Sequence, residues 1–209
     1  MKSIFAAFLM LFAVTACAEP QSGFDYLPTQ QVIPNDNPAK VEVMELFWYG
    51  CPHCYHLEPR LAVWVKNLPK DVTFQRVPGI ARPDWAPGAQ AYYTLEALGL
   101  TEKLHGALFD AIHKQKSLRP NDDAALVDWI TKQSGLDAKK VKDAYNSFSI
   151  NTKMMRAMQI FRASGATGVP TLIIDGKYIT SSTIAGGNEQ ALKVADYLIQ
   201  KARAEKSAR

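Results

Sequence analysis

The chain has 209 residues, 47% of them hydrophobic and 21% charged, enough apolar material for one substantial core and too little charge bias for a disordered chain. A formal net charge of +4 is too mild to point to nucleic acid, and the basic tail K-A-R-A-E-K-S-A-R reads as a solvated helix end. Only three cysteines are present, two of them in the stretch Y-G-C-P-H-C-Y-H.

Residues 1–18 open with Lys2, continue with an apolar run from Ile4 to Val14 and close on Ala16 and Ala18, the pattern of a secretory signal peptide. The run is too short for a membrane span. Cleavage after Ala18 removes Cys17. The stretch Val14-Thr15-Ala16-Cys17 also resembles a bacterial lipobox, in which the cut falls before the cysteine and a lipid joins its sulfur. Either route leaves Cys51 and Cys54 as the only thiols able to react with each other, in a compartment where disulfides persist.

Residues 19–39, with four prolines, read as an extended arm. Residues 41–49, V-E-V-M-E-L-F-W-Y, form the strongest predicted strand and stop at Gly50. A helix starts at the cysteine pair and runs to about Leu68, with Pro59 inside it, and V-T-F-Q-R-V (72–77) is a second strand. Helical patterns then cover 89–98, 101–113, 121–134, 137–145 and roughly 150–164, with Thr101, Asn121 and Asp137 as expected N-caps. Met154, Met158 and Phe161 fall at helical spacing and are expected in the core. T-L-I-I and K-Y-I-T, joined through Asp175-Gly176, predict a hairpin, and a last amphipathic helix opens at Asn188. The order β-α-β, helical block, β-β-α predicts an α/β framework with a helical insertion.

The Cys51–Cys54 spacing admits haem attachment, zinc, a structural staple or a redox dithiol. Haem attachment needs His directly after the second Cys, where Tyr55 stands. Zinc needs two more ligands. His105 and His113 lie about fifty residues away and are expected to be ordinary helix residues, with His56 on the surface. A staple closing so short a loop contributes little stability. Redox chemistry remains, and helix-end physics favours it. Cys51 at a helix N-terminus faces unpaired N–H groups, and Pro52 just inside the helix start preserves that geometry. The helix dipole is worth up to about 2 kcal/mol and one pKa unit about 1.4, so it lowers the thiol pKa by roughly one to one and a half units. His53, between the sulfurs, is expected to add charge or a hydrogen bond. A stabilised thiolate makes the disulfide a strong oxidant.

Alternation along 41–49 places Glu45 on the face of Val43 and Phe47, in the core, six residues before Cys51. Trp48, Tyr49, Trp85, Tyr92 and Tyr93 are candidates for a polypeptide groove, though taken singly each is more often a core residue.

Cys51-Pro52-His53-Cys54 after a buried strand, Pro59, Gly168-Val169-Pro170 before a hairpin and Asp175-Gly176-Lys177-Tyr178 together resemble the DsbA-type thiol:disulfide oxidoreductases. The resemblance runs from about Val41 to the end. It implies a thioredoxin-like fold with an inserted all-helical domain: a thioredoxin-like part over 40–81 and 165–209, and the insertion over 82–164. It implies that Pro170 is a cis-proline facing the dithiol, with Val169 supplying backbone groups to a substrate strand. Glu45 becomes the family's buried acid, relaying protons to Cys54. Here the chain departs from the pattern: the next strand has no lysine, and Arg76 is the nearest base. The implied activity is that of a periplasmic, monomeric oxidase that donates its Cys51–Cys54 disulfide to reduced, unfolded exported proteins. No cofactor or nucleic acid is involved, and a quinone-linked membrane oxidase restores the disulfide. A reductase or isomerase of similar fold, or a non-catalytic peptide-binding chaperone, is the alternative. Val169 before the proline, and Pro-His between the cysteines, favour the oxidase.

Overall fold

The structure is a computed structural model and describes residues 19–208; the expected leader and Cys17 lie outside the described residues. The chain folds in the order β1 (Leu27–Pro28), β2 (Val41–Phe47), α1 (Pro52–Lys66), β3 (Val72–Pro78), α2 (Ala86–Ala97), α3 (Thr101–His113), α4 (Asp123–Ser134), α5 (Ala138–Tyr145), α6 (Phe148–Ser164), β4 (Thr171–Ile174), β5 (Tyr178–Thr180), α7 (Ser182–Ala185) and α8 (Asn188–Ser207). A short 3-10 turn, Pro83–Trp85, precedes α2.

The strands form one sheet in the order β1-β5-β4-β2-β3. β2 is central, parallel to β3 and antiparallel to β4, and all seven of its residues are buried. A strand covered on both faces reads as a near-continuous apolar run, so Glu42 and Glu45 are its two exceptions. Val41 and Val43 pack with Leu57 and Leu61 of α1 and Leu192, Ala195 and Leu198 of α8. Met44, Leu46 and Phe47 join the cluster that continues into α2–α6. This is a thioredoxin-like sheet with the helices α2–α6 inserted between β3 and β4.

The insertion is organised on α2, which lies against α3, α4, α5 and α6 and is buried on almost every side from Gly88 to Leu95. Side-chain oxygens of Asp122, Asp137 and Ser147 accept from backbone N–H groups of Ala125, Lys140 and Ile150, capping α4, α5 and α6. The α4 cap is thus one residue past the expected Asn121, and Thr101 is the first residue of α3 rather than its cap. On α6 the buried stripe is Ile150, Ala157, Ile160 and Ser164. Met154, Met158 and Phe161 are only partly buried, correcting their expected place in the core: the helix is rolled so that the stripe of Ile150, Ala157, Ile160 and Ser164 faces inward and they flank it.

The hairpin forms as expected, with Asp175 (φ 49°) and Gly176 (φ 65°) both in the left-handed region. Gly176 is required twice over, because a Cβ there would lie 1.9 Å from the carbonyl oxygen of Ile33. That contact belongs to residues 19–39, which do more than precede the core. Leu27 and Pro28 pair with Ile179 and Tyr178 as an edge strand, Ile33 N–H donates to Gly176 O at 2.9 Å, and Asp36 meets Arg156 of α6 at 2.6 Å.

Candidate active site

β2 ends at Phe47, two residues earlier than its apolar run suggests, and residues 48–51 turn the chain into α1. Cys51 N–H donates to Trp48 O at 2.9 Å, and Cys51 takes an extended N-cap conformation (φ −87°, ψ 115°) with Pro52 opening the helix. Three residues on, one helical turn brings Cys54 to the inner side of the same helix end. Both cysteines are thiols, Cys51 7% exposed and Cys54 fully buried. The Cys51 thiol donates to the carbonyl oxygen of Val169 at 3.3 Å, and the Val169–Pro170 peptide is cis. A groove of about 420 Å³ runs beside them, lined by Leu27, His53, Val169, Pro170 and Ile184 among others.

The two thiols differ sharply in acidity. The Cys54 thiol hydrogen bond does most to lower the Cys51 pKa, to about 6; backbone N–H groups of Cys54 and His53 add to it, the charge of His53 adds least, and burial opposes. His53 therefore contributes, but Cys54 contributes more. Burial pushes Cys54 well above the ordinary value, reinforced by its hydrogen bond to Cys51 and by the charges of Cys51 and Glu45. The outer sulfur is thus the more acidic of the two, and the inner one holds its proton more tightly.

A buried ionic cluster lies near enough for the Glu45 charge to raise the Cys54 pKa. Glu45 is 1% exposed, and desolvation raises its pKa to about 8 in spite of Arg76. β2 and β3 pair in register with Glu45 opposite Arg76, and Arg76 Nε lies 3.4 Å from Glu45 Oε2. The base missing from the lysine pattern is therefore supplied by this arginine. Arg76 Nη2 also reaches Glu58 Oε1 of α1 at 2.6 Å. Burial works against the Glu58 charge, but the adjoining His105 ring and the Arg76 guanidinium hold its pKa below the ordinary value.

His105 is not an ordinary helix residue. It is 5% exposed and sits among the rings of Phe47, Tyr49, Tyr92 and Phe109. Its Nδ1 is 2.8 Å from the Tyr49 hydroxyl and its Nε2 is 3.4 Å from Glu58 Oε2. His113, also on α3, places Nε2 2.7 Å from the carbonyl oxygen of Tyr49 and stacks on Tyr55. His56 is exposed, as expected. Of the groove candidates, Tyr49, Tyr92 and Tyr93 are buried core residues, whereas Trp48 and Trp85 are partly buried and stack face to face at 4.4 Å.

Glu58 and His105 escaped the sequence reading, although a signal exists for each. Glu58 stands four residues after Cys54 on the face that carries Leu57 and Leu61, and His105 interrupts the stripe Leu104, Leu108, Phe109. A polar side chain at a core position needs a partner.

A family model described as the DSBA-like thioredoxin domain matches residues 84–198. A thiol:disulfide interchange protein DsbA from Pseudomonas aeruginosa is 42% identical over 200 residues, covering 95% of this chain and 93% of the relative. One from Azotobacter vinelandii is 40% identical, covering 92% of each. The crystal structure of Pseudomonas aeruginosa DsbA superposes with a TM-score of 0.84 at 40% identity, covering 90% of this chain and 97% of that one. A DsbA oxidoreductase from Xylella fastidiosa gives 0.81 at 28% identity, covering 90% and 100%.

Proposed function

We propose a working cycle for this chain, which belongs to the DsbA family of thiol:disulfide interchange proteins and is a thiol:disulfide oxidoreductase. The Cys51–Cys54 disulfide is the redox group. A substrate thiolate attacks Cys51 Sγ, the Cys51–Cys54 bond breaks, and Cys54 leaves with the bonding pair. A second substrate thiolate then attacks the substrate sulfur of the mixed disulfide and expels Cys51 as a thiolate. The substrate has lost two electrons and the protein holds a dithiol. Cys51 is the exchanging sulfur, Pro52 and His53 shape and charge its helix end, and Glu45 gives a proton to the departing Cys54 and takes it back on re-oxidation. Val169 and Pro170 receive the substrate as an extended strand along the groove beside Cys51.

The observation that carries this reading is the unequal pair of sulfurs, one capped by N–H groups beside an open groove and one buried within reach of the Glu45 charge. Its substrates are reduced, unfolded proteins newly exported to the periplasm, and a quinone-linked membrane oxidase restores the disulfide to the monomer. Residues 1–18 act as the export leader, removed by cleavage after Ala18 or before a lipidated Cys17. Residues 19–39 are the arm, 40–81 with 165–209 the thioredoxin-like domain, and 82–164 the helical one. Cys54→Ser incubated with a reduced, unfolded substrate should accumulate mixed disulfides through Cys51, and Cys51→Ser should abolish oxidation. Substrate trapped on Cys54 would reverse the two roles.

A further inference from the structure

Five buried polar atoms lack a hydrogen-bond partner in one place: both carboxylate oxygens of Glu45, Arg76 Nε, Glu58 Oε2 and His105 Nε2. They come from four elements, β2, β3, α1 and α3, and only α3 belongs to the inserted helices. Glu58, Arg76 and His105 also line a groove of about 630 Å³ distinct from the one beside Cys51.

The tautomer of His105 follows from its neighbours. Burial keeps the Tyr49 hydroxyl protonated, and its proton finds an acceptor in His105 Nδ1 at 2.8 Å. Nε2 then carries the hydrogen and faces Glu58 Oε2 across 3.4 Å, a contact short of a formed hydrogen bond. The opposite tautomer would set a lone pair against a carboxylate oxygen. Burial, together with the Arg76 charge, disfavours the imidazolium, although Glu58 and Glu102 work the other way.

We propose that His105 is a positioning residue for the dithiol: as a neutral Nε2–H donor it fixes the Glu58 carboxylate, so that Arg76 is shared between Glu58 and Glu45 and Glu45 keeps the proton affinity that serves Cys54. The inserted helices thereby act on the thiol chemistry through one side chain. The groups facing His105 are Tyr49 from the active-site turn, Glu58 from α1, Arg76 from β3, Tyr92 from α2 and Glu102 from α3 itself, with Glu45 of β2 behind Arg76. Without the donor, Glu58 competes for protons, Arg76 turns to Glu45, and Glu45 becomes a weaker base.

The inference rests on Cys51–Cys54 exchange. The test is the rate at which Cys54 expels glutathione from a Cys51 mixed disulfide, followed against pH for the wild type, His105→Phe and His105→Gln. Glutamine can both accept from Tyr49 and donate to Glu58; phenylalanine can do neither. A hydrogen bond to a charged group corresponds to about tenfold or more in rate. His105→Phe should therefore lower the high-pH plateau about tenfold and move the midpoint to lower pH. His105→Gln should stay within about twofold, and the Cys51 thiolate titration should be unchanged in both. A wild-type plateau and midpoint in His105→Phe, or equal losses in the two variants, would overturn the proposal. If His105→Phe does not fold, nitrogen-15 spectra of the wild type decide. Nε2–H with a bare Nδ1 is expected at and above about pH 7; the other tautomer, or a cation there, overturns it. If wild-type Cys54 expels no glutathione, the exchange reading itself fails, whatever His105 does.

Discussion

Glu45 and Arg76 are cross-strand partners, directly opposite on β2 and β3, with Nε and Oε2 3.4 Å apart. Arg76 also holds Glu58, so one cation serves two buried carboxylates. Removing one partner from a buried ionic cluster leaves uncompensated charge, which costs about 3–5 kcal/mol. Arg76→Met should lose that much stability at pH 7, and the deficit should narrow in acid, where Glu58 takes up a proton. Denaturant melts at both pH values check it.

Glu45→Gln should act in the opposite direction. Burial raises the folded pKa of Glu45 to about 8 from an ordinary 4.5. The unfolded chain ionises first, so the wild type loses stability as pH climbs from about 4.5 to about 8, and the variant does not. Its advantage should grow across that window by up to about 1.4 kcal/mol per pH unit and level off above about pH 8. Closure of a Cys51 mixed disulfide by Cys54 should slow, because the proton has lost its acceptor. Melts of the oxidised protein and single-turnover kinetics read the two effects separately.

The order of influences on Cys51 predicts an order of mutational effects. The Cys54 thiol is the foremost stabiliser of the Cys51 thiolate, and the His53 charge comes last among its causes. Cys54→Ala should therefore raise the Cys51 pKa more than His53→Ala does. Thiolate absorbance against pH measures both; equal shifts, or the reverse order, would displace the Cys54 thiol from that role.

Stability of the dithiol form should also depend on pH in a defined window. The folded pKa of Cys51 is depressed from 9.0 to about 6. Its contribution is fully present above about 9 and is lost as pH falls through about 6. The disulfide form has no thiol to titrate. Reduced minus oxidised stability should thus rise between about pH 6 and 9, by up to about 1.4 kcal/mol per pH unit. Paired melts of the two forms test it.

The readable parts of this molecule were those set by local sequence. β2, the helix opening at Cys51-Pro52 and the Asp175-Gly176 hairpin all follow from residues within a few positions of one another, and Glu45 is buried because the whole of β2 is. Arg76 needed the β2–β3 register, which no local pattern states. Glu58 and His105 meet only when α3 packs on α1, across 47 positions, so neither residue's sequence neighbours point to the other. The edge strand Leu27–Pro28 was unreadable for the same reason: two residues carry no period, and the strand exists because β5 offers it an edge.

The most direct measurement is the equilibrium of the Cys51–Cys54 couple with glutathione at neutral pH. Stabilisation of the Cys51 thiolate favours the dithiol, so the disulfide should be a stronger oxidant than oxidised glutathione. The protein should become reduced even where oxidised glutathione remains in substantial proportion. A Cys51–Cys54 disulfide that persists against an excess of reduced glutathione would contradict it.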